Sequence, residues 1–289
     1  MTENPTQFGP SMDDLAVAPL AYAANLFAGK VVLVSGAGSG IGLAIATLFA
    51  RTGASLVICG RKADKLDIAR TFLEGLGAKV AAVPMSIRDP DAVEHLIDVA
   101  AGWGGLDILV NNAGGQFPKD ALEIPIKGWN AVVDTNLNGT WYMMQTAARR
   151  WVKDGRGGTI VNIVADIWRG MPQVAHTCAA RAGVIYLSKS VAVEWAPHGI
   201  RVNCVAPGMV ETTGFGVYPP EASARFAESN PMRRCGSPWD IAGAAAYLAG
   251  PTGAFVTGEV ITVDGGQQMW GDVWPYGEPA YFRKEGAAT

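Results

Sequence analysis

The chain has 289 residues, of which 49% are hydrophobic and 17% charged, and its formal net charge is -3. This length and composition fit one large α/β domain and argue against a disordered chain. With only 23 Lys and Arg residues, the chain lacks the concentrated positive charge of a nucleic-acid surface, so we expect a small-molecule partner.

The four cysteines lie far apart and form no C-x-x-C pair. This spacing is typical of reduced residues in an intracellular protein and indicates no metal site. The N-terminus has no basic region followed by an apolar core, and no apolar run is long enough to span a membrane. We therefore expect a cytoplasmic protein with no membrane partner.

Apolar strands and helices alternate along the chain from Lys30 onward. The predicted strands occupy residues 30–34, 55–59, 79–84, 106–110, 159–164, 200–205 and 259–263. The predicted helices occupy residues 43–50, 62–76, 89–103, 128–153, 176–196 and 238–249. Nearly every strand is apolar throughout, as expected for a parallel sheet covered by helices on both faces. The sequence thus predicts a single Rossmann-type, doubly wound α/β sheet that binds its ligands at the carboxyl ends of the strands.

A glycine-dense turn follows the first strand and opens the first helix. Its spacing is G-x-x-x-G-x-G, which differs from the G-x-G-x-x-G of the general dinucleotide fingerprint. Glycines let the backbone approach a pyrophosphate closely, and the helix N-terminus can hold the anion. We favour a dinucleotide site over a turn without a ligand, because the turn lies between a strand and a helix. The predicted cofactor residues of this turn are Ser35, Gly36, Ser39, Gly40, Ile41 and Gly42.

The end of the second strand indicates which dinucleotide binds. In NAD-binding folds an acidic residue at this place bonds the ribose hydroxyls. Here the strand runs into Arg61 and Lys62, with no carboxylate. Two cations suit the 2′-phosphate of NADP. Cations at a helix N-terminus are unfavourable unless an anion binds there, because the N-terminal end of the helix dipole is itself positive. We therefore predict NADP as the cofactor, with an ordinary solvated helix start as the alternative.

Segments at both ends of the chain fall outside the alternation of strands and helices. We expect residues 1–27 to form an N-terminal arm, residues 28–266 the dinucleotide-binding catalytic domain, and residues 267–289 an aromatic-rich tail. Within the domain, residues 207–234 follow a strand end and contain several Gly and Pro residues. Such an excursion is typical of a substrate lid.

Five motifs in a fixed order, spread over residues 28–266, resemble the short-chain dehydrogenase/reductase family. They are residues 35–42, Asn111-Asn112-Ala113-Gly114, Asn136 with its neighbours, Pro207-Gly208 and Val263-Asp264-Gly265-Gly266. The resemblance implies a homotetramer. It also implies cofactor contacts from Asn112, Ala113, Gly114, Pro207 and Gly208, with Val210 and Thr212 beside the nicotinamide.

The catalytic residues of that family are largely replaced. The family uses a Tyr four residues before a Lys, and a Ser about a dozen residues upstream. Thr177 stands for the Tyr, Arg181 for the Lys and Ala165 for the Ser, so only Asn136 is kept. The runs from Asn112 to Phe117 and from Val174 to Val184 resemble peroxisomal trans-2-enoyl-CoA reductases, with 2,4-dienoyl-CoA reductases as more distant relatives.

The replaced residues favour reduction of a carbon–carbon double bond. Ketone reduction needs an acid whose pKa lies near the working pH, whereas a Thr hydroxyl is not such an acid and Arg181 stays charged. Reduction of a conjugated double bond needs donors that stabilise an enolate-like oxygen. Thr177 and Arg181 share one helix face and can do this. Arg181 is also a predicted cofactor residue, because its guanidinium can hold ribose hydroxyls. With Asn136, they are the candidate catalytic residues of an NADPH-dependent enoyl thioester reductase, with acyl-CoA as the implied substrate.

Three residues can be considered as replacement acids. Asp166, at the end of the fifth strand, is the fourth candidate catalytic residue, and a loop-capping role is equally favoured. His176 points about 100° away from Thr177 on the helix, which favours a structural role. Tyr218 can swing over the site from the lid, although an exposed loop aromatic is favoured. Two other functions stay open: a carbonyl/hydroxyl oxidoreductase that uses one of these acids, and a non-catalytic NADP(H)-binding protein.

Overall fold

The computed structural model describes residues 8–218 and 220–269. Seven strands form one sheet in the order β3-β2-β1-β4-β5-β6-β7, and every pairing in it is parallel. The strands are β1 Val31–Ser35, β2 Ser55–Gly60, β3 Val80–Pro84, β4 Ile108–Asn111, β5 Gly158–Ile163, β6 Ile200–Pro207 and β7 Val260–Val263. The predicted Rossmann-type sheet is confirmed.

Helices connect the strands and cover the two faces of the sheet. Within the described residues they are α1 Met12–Val17, α2 Gly40–Arg51, α3 Ala63–Gly75, α4 Pro90–Ala101, α5 Ile126–Val133, α6 Gly139–Lys153, α7 Ala175–Trp195, α8 Pro220–Ser223 and α9 Pro238–Ala249. The helix predicted from residue 89 begins as expected, because Asp89 accepts hydrogen bonds from the N–H groups of Asp91 and Ala92 and Pro90 is the first helical residue.

Two hydrophobic layers lie on opposite faces of the sheet. Val32 and Val34 of β1 pack with residues of α2 and α9, whereas Leu33 packs with residues of α4 and α6. Successive side chains of a strand point to opposite faces, so a central strand with a layer on each side must be apolar at every position. The edge strands β3 and β7 are only partly buried.

The strand order reverses between β1 and β4, and this reversal determines where a ligand can bind. The loops that follow β1 and β4 leave the sheet in opposite directions and open a crevice at the carboxyl ends of the strands. The candidate residues after β1, β4, β5 and β6 all lie on this side of the sheet.

The single helix predicted over residues 128–153 is wrong in one respect. The chain forms α5, then a π-helical turn at Asp134–Asn138, and then α6. Asn136 lies in this turn and is 1% exposed. A π-helical turn is wider than an α-helical one and is often found at functional sites. It directs the Asn136 amide at the loop that follows β4.

The part of the predicted N-terminal arm that the structure describes packs on the domain. Tyr22 Oη donates a hydrogen bond to the carbonyl of Gly243 at 2.7 Å, and Arg51 Nη1 donates to the carbonyls of Leu15 and Ala18 at 3.0 and 2.7 Å. From Trp270 onward, the predicted aromatic tail lies outside the described residues. Within the described ranges, no helix combines the length and hydropathy needed to cross a membrane.

Candidate active site

A tight glycine turn joins β1 to α2. Gly36 has a φ of +69°, in the left-handed region that favours glycine, and its N–H donates to the carbonyl of Cys59 at 2.7 Å. The side chain of the N-cap residue Ser39 makes no capping hydrogen bond, and the first turn of α2 contains no acidic residue. The first N–H groups of α2 are therefore available to an anion such as a phosphate.

Ser35 and Asn112 lock this turn to the end of β4. Ser35 Oγ accepts hydrogen bonds from the N–H groups of Asn112 and Ala113, both at 3.0 Å. Asn112 Nδ2 donates to the carbonyls of Ser35 at 3.0 Å and Gly36 at 3.3 Å. Ser35 is fully buried. Its side chain therefore positions the turn and is not exposed to a ligand.

A cavity of about 290 Å³, which we call the basic pocket, lies beside the glycine turn and the ends of β2 and β3. Four exposed cationic residues line it: Arg61, Lys62, Lys65 and Arg88. In the part of the chain that the structure describes, none of them forms an ion pair. The pocket is therefore positively charged and suited to an anionic group. The predicted cofactor residues that line it are Gly36, Ser39, Arg61, Lys62, Asn112, Ala113 and Gly114.

A second cavity of about 400 Å³, which we call the cleft, adjoins the basic pocket through Asn112 and Gly114. The lid and the ends of β5 and β6 supply much of its apolar wall, including Ile163, Met209 and Phe215. Its predicted cofactor residues are Ile41, Asn112, Gly114, Arg181, Pro207, Gly208, Val210 and Thr212. Of the predicted cofactor set, Ser35, Gly40 and Gly42 line neither the basic pocket nor the cleft.

Thr177 and Arg181 lie one turn apart on α7, and both line the cleft. Arg181 is only 8% exposed, and burial lowers the pKa of its guanidinium to about 10. Within residues 8–218 and 220–269, no hydrogen bond or ion pair involves its guanidinium. A Cβ on Gly114 would overlap Arg181 Nη2, so the absence of a side chain at Gly114 makes room for this cation. A buried cation without a partner is costly, and it is therefore ready to bind an anionic or strongly polar ligand.

Both polar atoms of the Asn136 amide form hydrogen bonds with the backbone of Gly115. Its Oδ1 accepts from the Gly115 N–H and its Nδ2 donates to the Gly115 carbonyl, both at 2.9 Å. Asn136 therefore holds the loop that follows β4, and this loop carries Gly114 against Arg181. Asn136 also lines the cleft.

Asp166 does not line the cleft. The chain stays paired with the end of β6 past Ala165, because the Asp166 N–H donates to the Pro207 carbonyl at 2.8 Å, and the Asp166 side chain lies 6% exposed beside Asp264. Burial and, secondarily, the negative charge of Asp264 raise the pKa of the Asp166 carboxyl to about 6. Asp264 itself accepts hydrogen bonds from the N–H groups of Gly266 at 2.8 Å and Gln268 at 2.7 Å. This position favours the structural alternative for Asp166 over a role in the reaction.

Replacing Asp166 by asparagine is expected to make stability less dependent on pH. The pKa of this carboxyl is higher in the folded chain than in the unfolded chain. Ionisation of Asp166 therefore lowers the free energy of unfolding as the pH rises from about 4 through about 6. Asp166→Asn should therefore raise the melting temperature by about 5 °C at pH 8, which corresponds to about 2 kcal/mol, and change it little at pH 4. Thermal unfolding between pH 4 and 8 measures this, with the exposed Asp13→Asn as a control. The same shift at every pH would contradict it.

His176 and Tyr218 occupy different environments. His176 is fully buried, its Nδ1 accepts from the Thr177 N–H at 2.8 Å, and its ring packs edge-on to Phe117. Burial lowers its pKa, and it does not line the cleft, in keeping with the structural role favoured from the sequence. Tyr218, by contrast, is half-buried and lines the cleft, unlike the exposed loop aromatic that the sequence favoured. Gln116 Nε2 donates to Tyr218 Oη at 2.6 Å.

Sequence reasoning missed Lys65 and Arg88 in the basic pocket and Gln116 in the cleft. Arg88 follows β3, the neighbour of β2 in the sheet, so the rule that ligands bind at strand carboxyl ends could have indicated it. Lys65 lies in the first turn of α3, whose N-cap is Lys62, and its Cβ is 3.2 Å from where a Cβ of Gly38 would lie. No local signal in the sequence reveals the Gln116 contact, because its partner is 102 residues away.

Comparisons with known proteins place these features in a family. A family model described as enoyl-(acyl carrier protein) reductase matches residues 36–268. A Bacillus subtilis protein named "Probable 2,4-dienoyl-CoA reductase" is 37% identical over 253 residues, which cover 86% of this chain and 99% of that protein. A 3-oxoacyl-(acyl-carrier-protein) reductase of Thermotoga maritima is 37% identical over 243 residues, which cover 82% and 97% of the two chains.

A solved structure shows the same fold along most of the chain. The citronellol catabolism dehydrogenase of Pseudomonas aeruginosa matches with a TM-score of 0.77 and 37% identity, covering 86% of this chain and 99% of that one. The chain belongs to the short-chain dehydrogenase/reductase family of oxidoreductases.

Proposed function

We propose that this chain is an NADPH-dependent reductase of the carbon–carbon double bond in 2-enoyl thioesters, with acyl-CoA as substrate. One observation carries the proposal: at the positions that the family resemblance aligns with its Tyr and Lys, the cleft presents the Thr177 hydroxyl and the Arg181 guanidinium, which has no partner among the described residues, and neither is the acid that ketone reduction uses. Both groups can donate hydrogen bonds to an oxygen that gains negative charge. Such donors suit an enolate-like oxygen formed by hydride addition to a conjugated double bond.

The names of the relatives support this reaction and one alternative. The Bacillus subtilis relative is named for reduction of a dienoyl-CoA, which supports double-bond chemistry on an acyl thioester. The Thermotoga maritima relative is named for reduction of a 3-oxoacyl group, and Tyr218 in the cleft also suits carbonyl chemistry. A carbonyl/hydroxyl oxidoreductase is therefore the second candidate.

The basic pocket supports NADP as the cofactor. Its four cations form no ion pair within the described residues, and two of them, Arg61 and Lys62, occupy the position after β2 where NAD-binding folds carry an acidic residue. Their charge suits the 2′-phosphate, while the open N-terminus of α2 suits the pyrophosphate. When bound, the cofactor would supply the hydride.

The residues of the cleft have separate roles in this proposal. The apolar wall, including Ile163, Met209 and Phe215, holds the acyl segment and excludes water. Arg181 and Thr177 stabilise the thioester oxygen as it becomes negative. Asn136 keeps the loop around Gly115 in place, so that Gly114 leaves room for the guanidinium.

NADPH oxidation by the purified chain tests this function. The assay compares trans-2-enoyl-CoAs and 2,4-dienoyl-CoAs with matched 3-oxoacyl-CoAs and simple ketones. Turnover of the unsaturated thioesters alone is the expected result. Turnover of the 3-oxo compounds or ketones alone would instead establish the second candidate. Tight NADPH binding with no turnover of any acceptor would identify a cofactor-binding protein without this activity.

The choice of cofactor gives a separate prediction for Arg61. Arg61→Asp should weaken NADPH binding by about 10-fold to 100-fold, because a charge-assisted bond is lost and a repulsive charge is gained. NADH binding should change by less than about threefold, since NADH has no 2′-phosphate. Fluorescence titration of both nucleotides measures this. Arg70→Asp is the control, because Arg70 lies on α3, the helix that follows Arg61, pairs with Asp67 and does not line the basic pocket. An equal loss for both nucleotides would contradict the choice of NADP.

The remaining expectations concern organisation and compartment. We propose a catalytic domain over residues 28–266 with a lid at 207–234, and a homotetramer, which the family resemblance supports. All four cysteines are free, which suits a reducing compartment such as the cytoplasm.

A further inference from the structure

We propose that Tyr218, held by Gln116, is the proton donor of this reaction. The inference rests on the proposed function, because it supplies the proton that completes reduction of the double bond. Tyr218 lies on the lid, 41 positions after the Thr177 that stands where the family has its Tyr, so sequence comparison at the usual position cannot find it.

The composition of the cleft singles out Tyr218. Among the described residues that line the cleft, only Arg181 and Tyr218 have side chains with a titratable proton. Arg181 stays charged and is a poor proton donor, even though burial lowers its pKa to about 10. Asp166 and His176, the other acids that the sequence suggests, do not line the cleft. This leaves the phenol of Tyr218.

The contacts of Tyr218 hold its hydroxyl at the cleft. Gln116, which also lines the cleft, donates from Nε2 to Tyr218 Oη at 2.6 Å. Tyr218 Oη is the acceptor in this bond, so the bond does not use the phenolic proton. The ring packs edge-on against the fully buried Phe226, with centroids 5.4 Å apart. Phe226 in turn packs against Phe215 at 4.7 Å, and Phe215 against Phe8 at 5.7 Å. The ring is thus fixed by an aromatic cluster that joins the lid to the N-terminal segment.

The step balances with NADPH as the hydride source. Hydride adds to the β-carbon, and the electron pair of the double bond moves to form an enolate. The Tyr218 O–H bond then breaks, and the enolate electron pair forms the new C–H bond at the α-carbon. The phenolate that remains takes a proton from water once the product has left. No other oxidant or reductant is needed.

Tyr218→Phe tests the proposal, because it removes the hydroxyl and keeps the ring against Phe226. With trans-2-enoyl-CoA in D₂O, the wild type should place deuterium at the α-carbon on one face only. The variant should lose about 100-fold in kcat, within the usual range for a general acid, and should place deuterium on both faces. Its affinity for NADPH and its calorimetric affinity for the saturated acyl-CoA should each change by less than about threefold. Its melting temperature should change by less than about 2 °C. The control is Tyr186→Phe, at a 69% exposed position on α7.

Gln116 is a positioning residue, and a double-mutant cycle separates its role from simple packing. Gln116→Leu should lower kcat about 10-fold, with less than a threefold change in KM, and should reduce the facial selectivity of deuterium. In the Tyr218→Phe background, the same substitution should have no further effect, because the hydroxyl that it holds is gone. Independent, additive effects would overturn the role of Gln116.

The possible failures can be told apart. If the wild type reduces the enoyl thioester while Tyr218→Phe keeps its kcat and facial selectivity, water is the donor and the inference is wrong. If Tyr218→Phe raises only KM, Tyr218 closes the lid without giving a proton, and the inference is also wrong. If the wild type reduces no unsaturated thioester, the proposed function itself fails.

Discussion

Replacing Arg181 by methionine is expected to stabilise the chain while removing at least 99% of its kcat/KM for an enoyl thioester. The guanidinium is buried and has no partner in the described residues, so an apolar side chain of similar length removes an uncompensated charge. The gain should be about 1–2 kcal/mol, or about 2–6 °C in melting temperature for a domain of this size. Loss of one preorganised donor to a developing oxyanion costs about 100-fold to 1,000-fold in rate.

A half-buried arginine whose guanidinium is hydrogen-bonded provides the control. The Arg201 guanidinium donates to the carbonyls of Gly253, Val256 and Leu248 and to Thr159 Oγ1, at 2.8–3.0 Å. Arg201→Met should therefore destabilise the chain by about 2–4 kcal/mol, because it leaves four partly buried acceptors unpaired, and should leave kcat unchanged. Thermal unfolding and steady-state kinetics of both variants measure the contrast. If Arg181→Met destabilises the chain as much as Arg201→Met, the idea that Arg181 is a strained, ligand-ready cation is wrong.

Gly42→Ala is expected to lower stability by about 3 kcal/mol and to abolish NADPH binding. Gly42 lies in the first turn of α2, and a Cβ there would overlap the carbonyl of Gly36 and Nδ2 of Asn112. The backbone carbonyl of Gly36 cannot move aside as the end of a flexible side chain can. The glycine turn and α2 must therefore move apart. The separation would also break the bonds from Asn112 that lock the turn.

Gly243→Ala is the control for this effect. Gly243 lies within α9, and no atom lies within 4 Å of the position that its Cβ would take. Alanine should therefore stabilise this helix by up to about 1 kcal/mol. Chemical denaturation and NADPH titration of both variants measure the difference. NADPH binding that survives in Gly42→Ala would show that close approach at this glycine is not required.

The sheet could be predicted because its signals are local. Each strand is a short apolar run bounded by turn residues, and two-sided burial follows from the absence of alternation. The glycine turn of the cofactor site could be predicted for the same reason, because its glycine spacing and the start of the helix lie within eight residues. The apolar pattern over residues 128–153 is continuous, however, so it cannot reveal the π-helical turn that carries Asn136.

The site was harder to predict because side-chain direction depends on distant contacts. The fifth strand was predicted at 159–164 and lies at Gly158–Ile163, yet Asp166 beyond its end lies beside Asp264 and does not line the cleft. The position of the Tyr218 hydroxyl depends on a hydrogen bond from Gln116, which is 102 residues away in the sequence. Neither outcome follows from the spacing of residues near each position.

The π-helical turn between α5 and α6 makes this part of the chain intolerant of changes in length. A π-helical turn contains about one residue more than an α-helical turn, so deleting one residue from 134–138 would convert the segment into continuous α-helix. The Asn136 amide would then rotate by about 100°, away from Gly115. Related sequences that bind the same way should therefore keep their spacing through this segment, and a one-residue gap there would mark a relative with a rearranged cleft.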